Sequence, residues 1–258
     1  FTGSKEVANR LAVETKGKIR IEDEGFDWKI IGPDYDPEWS EYVAWQADED
    51  AYNASGQKCS AQSILFVHEN WEKDLIPKLA ELASKRKLKD LNIGPVLTWS
   101  NSQIKDHLDS LLKIKGSKLL FGGKELSDHS IPVSYGSIQP TAIQVPIKEL
   151  LTTNFELITK ELFGPFQIII SYSDKEIDQM KSDFISLVSH ELRTPLTSII
   201  GFVSFILDGK TGTINEKQRD SLVRVHRQSK RLAALINDLL DILIPDKALI
   251  FLISIISE

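Results

Sequence analysis

Two side chains in this sequence have the type and the setting of nucleophiles. Cys59 stands in Ser55-Gly56-Gln57-Lys58-Cys59-Ser60-Ala61-Gln62-Ser63, a glycine-bearing loop of small residues running into the start of an element. At a helix amino end beside Lys58 its thiolate, the reactive form, is favoured; a lone cysteine is equally read as an inert, small core residue. His190 lies in Ser189-His190-Glu191-Leu192-Arg193-Thr194-Pro195-Leu196, two residues from Val188 and two from Leu192. At about 100° per residue its side chain points about 200° from both, away from an apolar stripe. A histidine satisfied within the core is the competing reading. An exposed neutral imidazole keeps a ring nitrogen free to attack an electrophile at neutral pH.

The elements that must position these groups differ in texture. From Phe1 to about Tyr172, short β-rich runs (Ser63 to Val67, Lys118 to Phe121, Gln167 to Ile170) alternate with helix-like runs and with breaks at Gly94-Pro95, Gly122-Gly123, Gly136 and Gly164-Pro165, an α/β pattern. Helices are expected over Glu72 to Leu88, with Leu75, Ile76, Leu79 and Leu82 on one stripe, and over Ser102 to Ile114. After Ser173 glycine and proline become sparse. Ile177, Met180, Phe184, Val188, Leu192, Leu196, Ile199, Val203 and Ile206 keep spacings of three and four, which predicts one long amphipathic helix carrying His190 in its middle. The turn Asp208 to Thr213 ends it, and Asn215 caps a second helix with Leu222, Val225, Leu232, Leu235, Leu239 and Leu243 on its apolar face. Pro195 removes one helical donor and bends the first helix just beyond His190. Two such helices form an antiparallel hairpin with an open apolar seam, which dimerisation into a four-helix bundle covers. Gly209-Lys210-Thr211 is a turn and not a phosphate loop, because Ser204 occupies the position where that pattern needs glycine.

Composition narrows the partners. The 258 residues are 41% hydrophobic and 26% charged with a net charge of −6, without the clustered Lys and Arg that nucleic acid or an anionic membrane requires. One cysteine rules out an internal disulfide and a multi-cysteine zinc site, so no metal is expected and a reducing compartment, the cytoplasm, is. Phe1 to Lys5 does not read as a signal peptide. Ala248 to Ile256 is nine residues long, against the about 20 a spanning helix needs.

The box around His190 resembles the H-box of sensor histidine kinases, and the likeness covers Asp174 to about Ile242, with Asn237-Asp238-Leu239-Leu240 closing the second helix. That resemblance implies phosphorylation of His190 by the γ-phosphoryl group of ATP, with Glu191 accepting the other ring proton. It implies that Thr194 orients water for dephosphorylating a partner, the receiver domain of a response regulator. Only fifteen residues follow Leu243, so ATP and magnesium are expected to act through a separate kinase catalytic domain in trans.

Over Phe1 to Tyr172 the sequence resembles NAD-dependent aldehyde dehydrogenases. Gly56-Gln57-Lys58-Cys59 looks like their nucleophile loop, and Glu22, 37 residues earlier, matches their general base. Glu161-Leu162-Phe163-Gly164-Pro165-Phe166 is similar to the motif whose Glu and Phe hold the nicotinamide ribose and ring, and Gly3-Ser4 falls where the family binds the pyrophosphate. Gly25-Phe26-Asp27-Trp28-Lys29, His68-Glu69-Asn70-Trp71 and His129-Ser130-Ile131-Pro132 resemble the plant-type branch that oxidises glutamate semialdehyde, the open form of 1-pyrroline-5-carboxylate. The implied mechanism is thiolate attack, hydride loss to NAD and Glu22-assisted hydrolysis of a thioester. Ala8 and Glu24 depart from the family pattern. The chain is expected to begin in the last part of the nucleotide-binding domain, without the early βαβ units or the oxyanion-hole asparagine, so competent NAD binding and hydride transfer by the chain alone are not expected.

The expected organisation is therefore an α/β partial aldehyde dehydrogenase domain at 1–172, a phosphoacceptor hairpin at 173–244 and an apolar tail at 245–258. Three readings follow: a phosphorelay module acting through His190, a glutamate-semialdehyde dehydrogenase acting through Cys59 and Glu22, and a joined or truncated reading frame without activity. Uninterrupted transcript or genomic DNA across Ile170 to Lys175 separates the last from the others.

Overall fold

The computed structural model describes residues 1–3, 5–22 and 25–242, with backbone alone for 5–6, 181, 183–194 and 235–242. Ser4, Glu24 and the expected tail at 245–258 thus lie outside the described residues. The chain divides into two compact units, Phe1–Ser173 and Asp174–Glu258.

The first unit is built on five strands, β1 (Asp27–Ile31), β2 (Gln62–His68), β3 (Lys118–Phe121), β4 (Thr141–Gln144) and β5 (Phe166–Tyr172). They form one mixed sheet in the order β1-β2-β5-β4-β3. β1, β2, β5 and β4 run parallel to their neighbours, and β3 pairs antiparallel with β4 at the edge. The apolar runs in β2 and β5 are explained by their central places, since a parallel strand covered on both faces has no polar side. β1 was hidden in the sequence by Asp27 and Lys29, and β4 by its brevity between Pro140 and Val145.

Helices α1 (Lys5–Glu14), α2 (Ser40–Tyr52), α3 (Glu69–Ser84), α4 (Asn101–Leu112) and the single turn α5 (Phe155–Ile158) complete the unit. α3 starts three residues before the expected Glu72 because His68 Nδ1 accepts the Asn70 N–H at 3.3 Å and so fills the capping role. Its Trp71, Leu75 and Leu79 pack with Ala44 and Ala47 of α2 onto Leu65, Val67, Ala142 and Ile169 of the sheet. Each fully buried leucine there contributes about 1.5–3 kcal/mol. α4 begins at a capping box in which Ser100 and Gln103 satisfy each other's backbone N–H groups.

A buried polar chain crosses the sheet at its amino edge. Gln62 Nε2 donates to Gln167 Oε1 at 2.7 Å, Gln167 Nε2 donates to the Tyr52 hydroxyl at 2.8 Å, and that hydroxyl donates to the Thr141 carbonyl at 3.1 Å. Groups that would be costly to bury singly are thus paired, and α2, β2, β5 and β4 are fixed together.

The second unit contains α6 (Asp174–Leu207) and α7 (Glu216–Ile242). α6 runs continuously past Pro195. Asn215 caps α7 as expected: its Oδ1 accepts the Gln218 N–H and Gln218 Oε1 accepts the Asn215 N–H, both at 2.9 Å. The Ser204 hydroxyl of α6 lies 3.2 Å from His226 Nε2 of α7.

Candidate functional site

Because β1, β2 and β5 are adjacent and parallel, the segments entering them arrive at one edge of the sheet. Glu22 precedes β1, Cys59 stands three residues before Gln62 of β2, and Glu161 and Phe163 stand just before Phe166 of β5. They meet there in a cavity of about 670 Å³ lined by Gly3, Glu22, Cys59, Glu161 and Phe163. Ser4 lies outside the described residues. Thr2, Gly25, Phe26, Asp27, Thr98 and Trp99 complete the lining; Thr98 and Trp99 had no sequence signal, because a loop after a glycine-proline break carries them in from a distance.

Cys59 is exposed on a turn closed by Ala61 N–H donating to the Lys58 carbonyl at 3.0 Å. The element it leads into is strand β2 rather than a helix, which corrects the expected helix-end setting; Lys58 precedes it in sequence. The chain reaches this turn through three consecutive left-handed residues, Ala54, Ser55 and Gly56, with φ of 53°, 59° and 65°. Such a conformation is strained for side-chain-bearing residues, and Ser55 is held in it by accepting the Gly94 N–H on its hydroxyl at 2.7 Å.

Gly3 and Glu22 are brought together by backbone pairing. Gly3 N–H donates to the Glu22 carbonyl at 3.1 Å, and Glu22 N–H donates to the Phe1 carbonyl at 2.9 Å. Three carboxylates, those of Glu22, Asp27 and Glu161, share the cavity. Loss of water raises the Asp27 carboxyl above its ordinary range. Behind Trp99 lies His107 of α4, 6% exposed, its ring 5.8 Å from the indole and 5.6 Å from Phe166. Burial first, and Lys160 second, push its pKa down to about 4, so it is neutral at pH 7.

In the second unit, His190, Glu191 and Thr194 lie along α6; their side chains are outside the described residues, and with them the expected outward direction of His190. On α7 the half-buried face is Leu222, His226, Ser229 and Ala233. Val225 and Leu232, expected on the seam with Leu222, are exposed instead, together with Val223 and with Ile199, Phe202 and Phe205 of α6. Among the described residues no group of three or more His, Cys, Asp or Glu is arranged to hold a metal ion, and no helix is long and apolar enough to cross a membrane.

The model of the aldehyde dehydrogenase family matches residues 1–181. The chain belongs to the aldehyde dehydrogenase family. The model of the His Kinase A (phospho-acceptor) domain matches residues 180–243. The chain is thus a partial aldehyde dehydrogenase segment fused to a phosphoacceptor domain. Over 180 residues it is 59% identical to the mitochondrial delta-1-pyrroline-5-carboxylate dehydrogenase 12A1 of Arabidopsis thaliana, a match covering 69% of this chain and 32% of the relative. Over 63 residues it is 48% identical to the cell-division control histidine kinase PdhS of Brucella anthropi, covering 24% of this chain and 6% of that one. The chain therefore spans about a third of the length of its plant relative. Among solved structures, the betaine aldehyde dehydrogenase of Staphylococcus aureus, a complex with NAD, matches with a TM-score of 0.55 and 25% identity over 68% of this chain and 35% of that one. Aldehyde dehydrogenase 21 of Physcomitrella patens shares the fold, with a TM-score of 0.54 and 22% identity over 71% of this chain and 36% of that one.

Gly3, Glu161 and Phe163, the residues that the sequence offers for NAD, line the same cavity as Cys59.

Proposed function

We propose that the chain is a phosphorelay module whose His190 accepts a phosphoryl group from a kinase catalytic domain supplied with ATP and magnesium in trans and passes it to a response-regulator receiver domain. The observation that carries this reading is the Ser189 to Leu196 box in the middle of α6, within a segment 48% identical to a histidine kinase. A ring nitrogen of His190 forms a bond to the γ-phosphorus of ATP as the bond to the bridging oxygen breaks and ADP leaves; Glu191 accepts the proton of the other ring nitrogen, and Thr194 orients the water that dephosphorylates the partner. The two helices form a hairpin that pairs with a second copy in a four-helix bundle. The outward Phe202, Phe205, Val225 and Leu232 support this, being apolar surface that a second hairpin removes from water. A reducing cytoplasm suits the exposed single thiol. The test supplies ATP, magnesium and a matching kinase catalytic domain: acid-labile phosphate appears on the chain and is lost in His190→Ala. Its absence, or its persistence in that variant, overturns the reading.

The cavity favours a second reading for the first unit, in which Cys59 takes an aldehyde of the glutamate-semialdehyde class. The thiolate of Cys59 adds to the carbonyl carbon, forming a carbon–sulfur bond while the carbonyl oxygen gains a proton. NAD, held by Gly3, Ser4, Glu161 and Phe163, supplies the hydride acceptor when bound. Glu22 takes a proton from the water that releases the acyl group from Cys59. NADH formation that depends on glutamate semialdehyde and disappears in Cys59→Ser supports this reading; failure of the chain to bind NAD removes it.

A further inference from the structure

Helix α2 turns its small side chains to the core and its large ones to the solvent. Ala44 and Ala47 pack inward, while Trp39, Tyr42 and Trp45 are 59%, 54% and 49% exposed. A helix normally buries such rings, so the packing of the unit does not call for these three. They touch one another instead: the ring centroids of Trp39 and Tyr42 are 6.3 Å apart, and those of Tyr42 and Trp45 are 5.9 Å apart. Trp39 ends the 3₁₀ turn Pro37–Trp39 that leads into α2, and the steps of three residues that follow keep the rings along one side of the helix. The charge beside them has one sign. Asp34, Asp36, Glu38 and Glu41 are all exposed, and no Lys or Arg stands between Lys29 and Lys58. Lys78 of α3 reaches Glu41 at 3.6 Å but is held more closely by Asp74 at 2.9 Å, and the Glu41 side chain stays 85% exposed. A helix start accounts for carboxylates there; it does not account for three outward rings among them.

We propose that the ladder of Trp39, Tyr42 and Trp45, with its rim of carboxylates, is a docking surface for an extended peptide segment of a partner protein that carries arginine at alternate positions. A guanidinium is the group that both features recognise, since it stacks flat on an aromatic face and pairs with a carboxylate through two parallel hydrogen bonds. The spacing agrees: side chains on one face of an extended strand recur every ~6.7 Å, against ring steps of 6.3 Å and 5.9 Å. Successive arginines thus meet successive rings, and Glu41, four residues before Trp45, shares its face of α2. A second copy laid rim to rim would bring like charges together on a chain of net charge −6, and an anionic lipid surface is repelled for the same reason. The surface shares no residue with the lining of the Cys59 cavity and depends on neither reading of the chain's chemistry.

The probe is the blocked peptide Arg-Ser-Arg-Ser-Arg, titrated into the full chain by isothermal calorimetry beside its counterpart with lysine in place of arginine. The arginine peptide is expected to bind about tenfold more tightly than the lysine one, because ammonium groups neither stack nor pair by two bonds. Trp39→Ala and Trp45→Ala are each expected to weaken it by about three- to fivefold, the scale of one exposed cation–π contact, and to narrow its lead over lysine. Trp45→Phe, which keeps a ring, regains part of the loss and separates the contact from any change of fold. Glu41→Gln is expected to weaken both peptides, whereas Asp109→Asn, the same change of charge at an exposed place on α4, leaves both as they were. Absence of binding overturns the proposal, and so does equal affinity for the two peptides that neither Trp variant alters. An effect of Asp109→Asn as large as that of Glu41→Gln overturns it in favour of attraction by net charge alone. Self-association in sedimentation velocity, or co-sedimentation with phosphatidylcholine vesicles, that is lost in Trp39→Ala assigns the ladder to a second copy or to a lipid surface and overturns the peptide.

Discussion

A Cβ atom on Gly56 would stand 2.1 Å from the carbonyl oxygen of Gly164, so the turn before Cys59 and the segment carrying Glu161 and Phe163 touch backbone to backbone. This contact joins the nucleophile loop to the strand β5 entry, and it is possible only because Gly56 has no side chain. Gly56 also has φ of +65°, where an L side chain is strained. Gly56→Ala is therefore expected to cost about 2–4 kcal/mol, measured by urea unfolding of the first unit's tryptophan fluorescence. A cost below about 0.5 kcal/mol, the range of neutral surface substitutions, would contradict the close approach.

His107 makes the first unit sensitive to mild acid. Its pKa in the folded chain, about 4, lies below its ordinary value of 6.5, so the unfolded chain binds the proton more readily. The contribution is fully present above pH 6.5 and is lost as pH falls from there through 4. The loss should reach about 3 kcal/mol at the lower limit. Unfolding measured at pH 7 and pH 4.5 should show a smaller difference in His107→Phe than in wild type; equal differences would contradict the buried neutral imidazole.

What was legible in the sequence was which residues share the cavity. Gly3, Glu22, Cys59, Glu161 and Phe163 could be named because each sits in a local motif, and the order of β1, β2 and β5 brings those motifs to one cavity. Trp99 and Thr98 were not legible, since their segment is placed by bonds to Gln57 and to Gly136, each about 40 residues away in sequence. The same distinction separates the ends of α7 from its faces. The cap at Asn215 is a local hydrogen-bonding pattern and was readable, whereas Val225 and Leu232 satisfy an apolar period yet turn outward, because Leu222, His226, Ser229 and Ala233 form the half-buried face.

The Asn215–Gln218 box at the start of α7 should contribute to the stability of the helical unit on its own. Asn215→Ala removes the acceptor for the Gln218 N–H and is expected to cost about 1 kcal/mol. The helical signal in far-ultraviolet circular dichroism should melt at lower temperature in the variant, while the tryptophan transition of the first unit stays in place, since all five Trp residues lie before Ser173.

Phe202 offers the sharpest test of the proposed bundle. It lies on α6, twelve residues after His190, and is 72% exposed. If a second copy covers it, Phe202→Asp places a charge in an apolar seam and removes a buried ring. The dissociation constant should rise by about thirtyfold, the equivalent of about 2 kcal/mol, as read by sedimentation velocity over a concentration series. The charge stays solvated in a lone chain, so the helical melting of monomer should change by less than about 0.5 kcal/mol. A dimer of unaltered affinity would place the interface elsewhere, and the outward Val225 and Leu232 would then need a different cover.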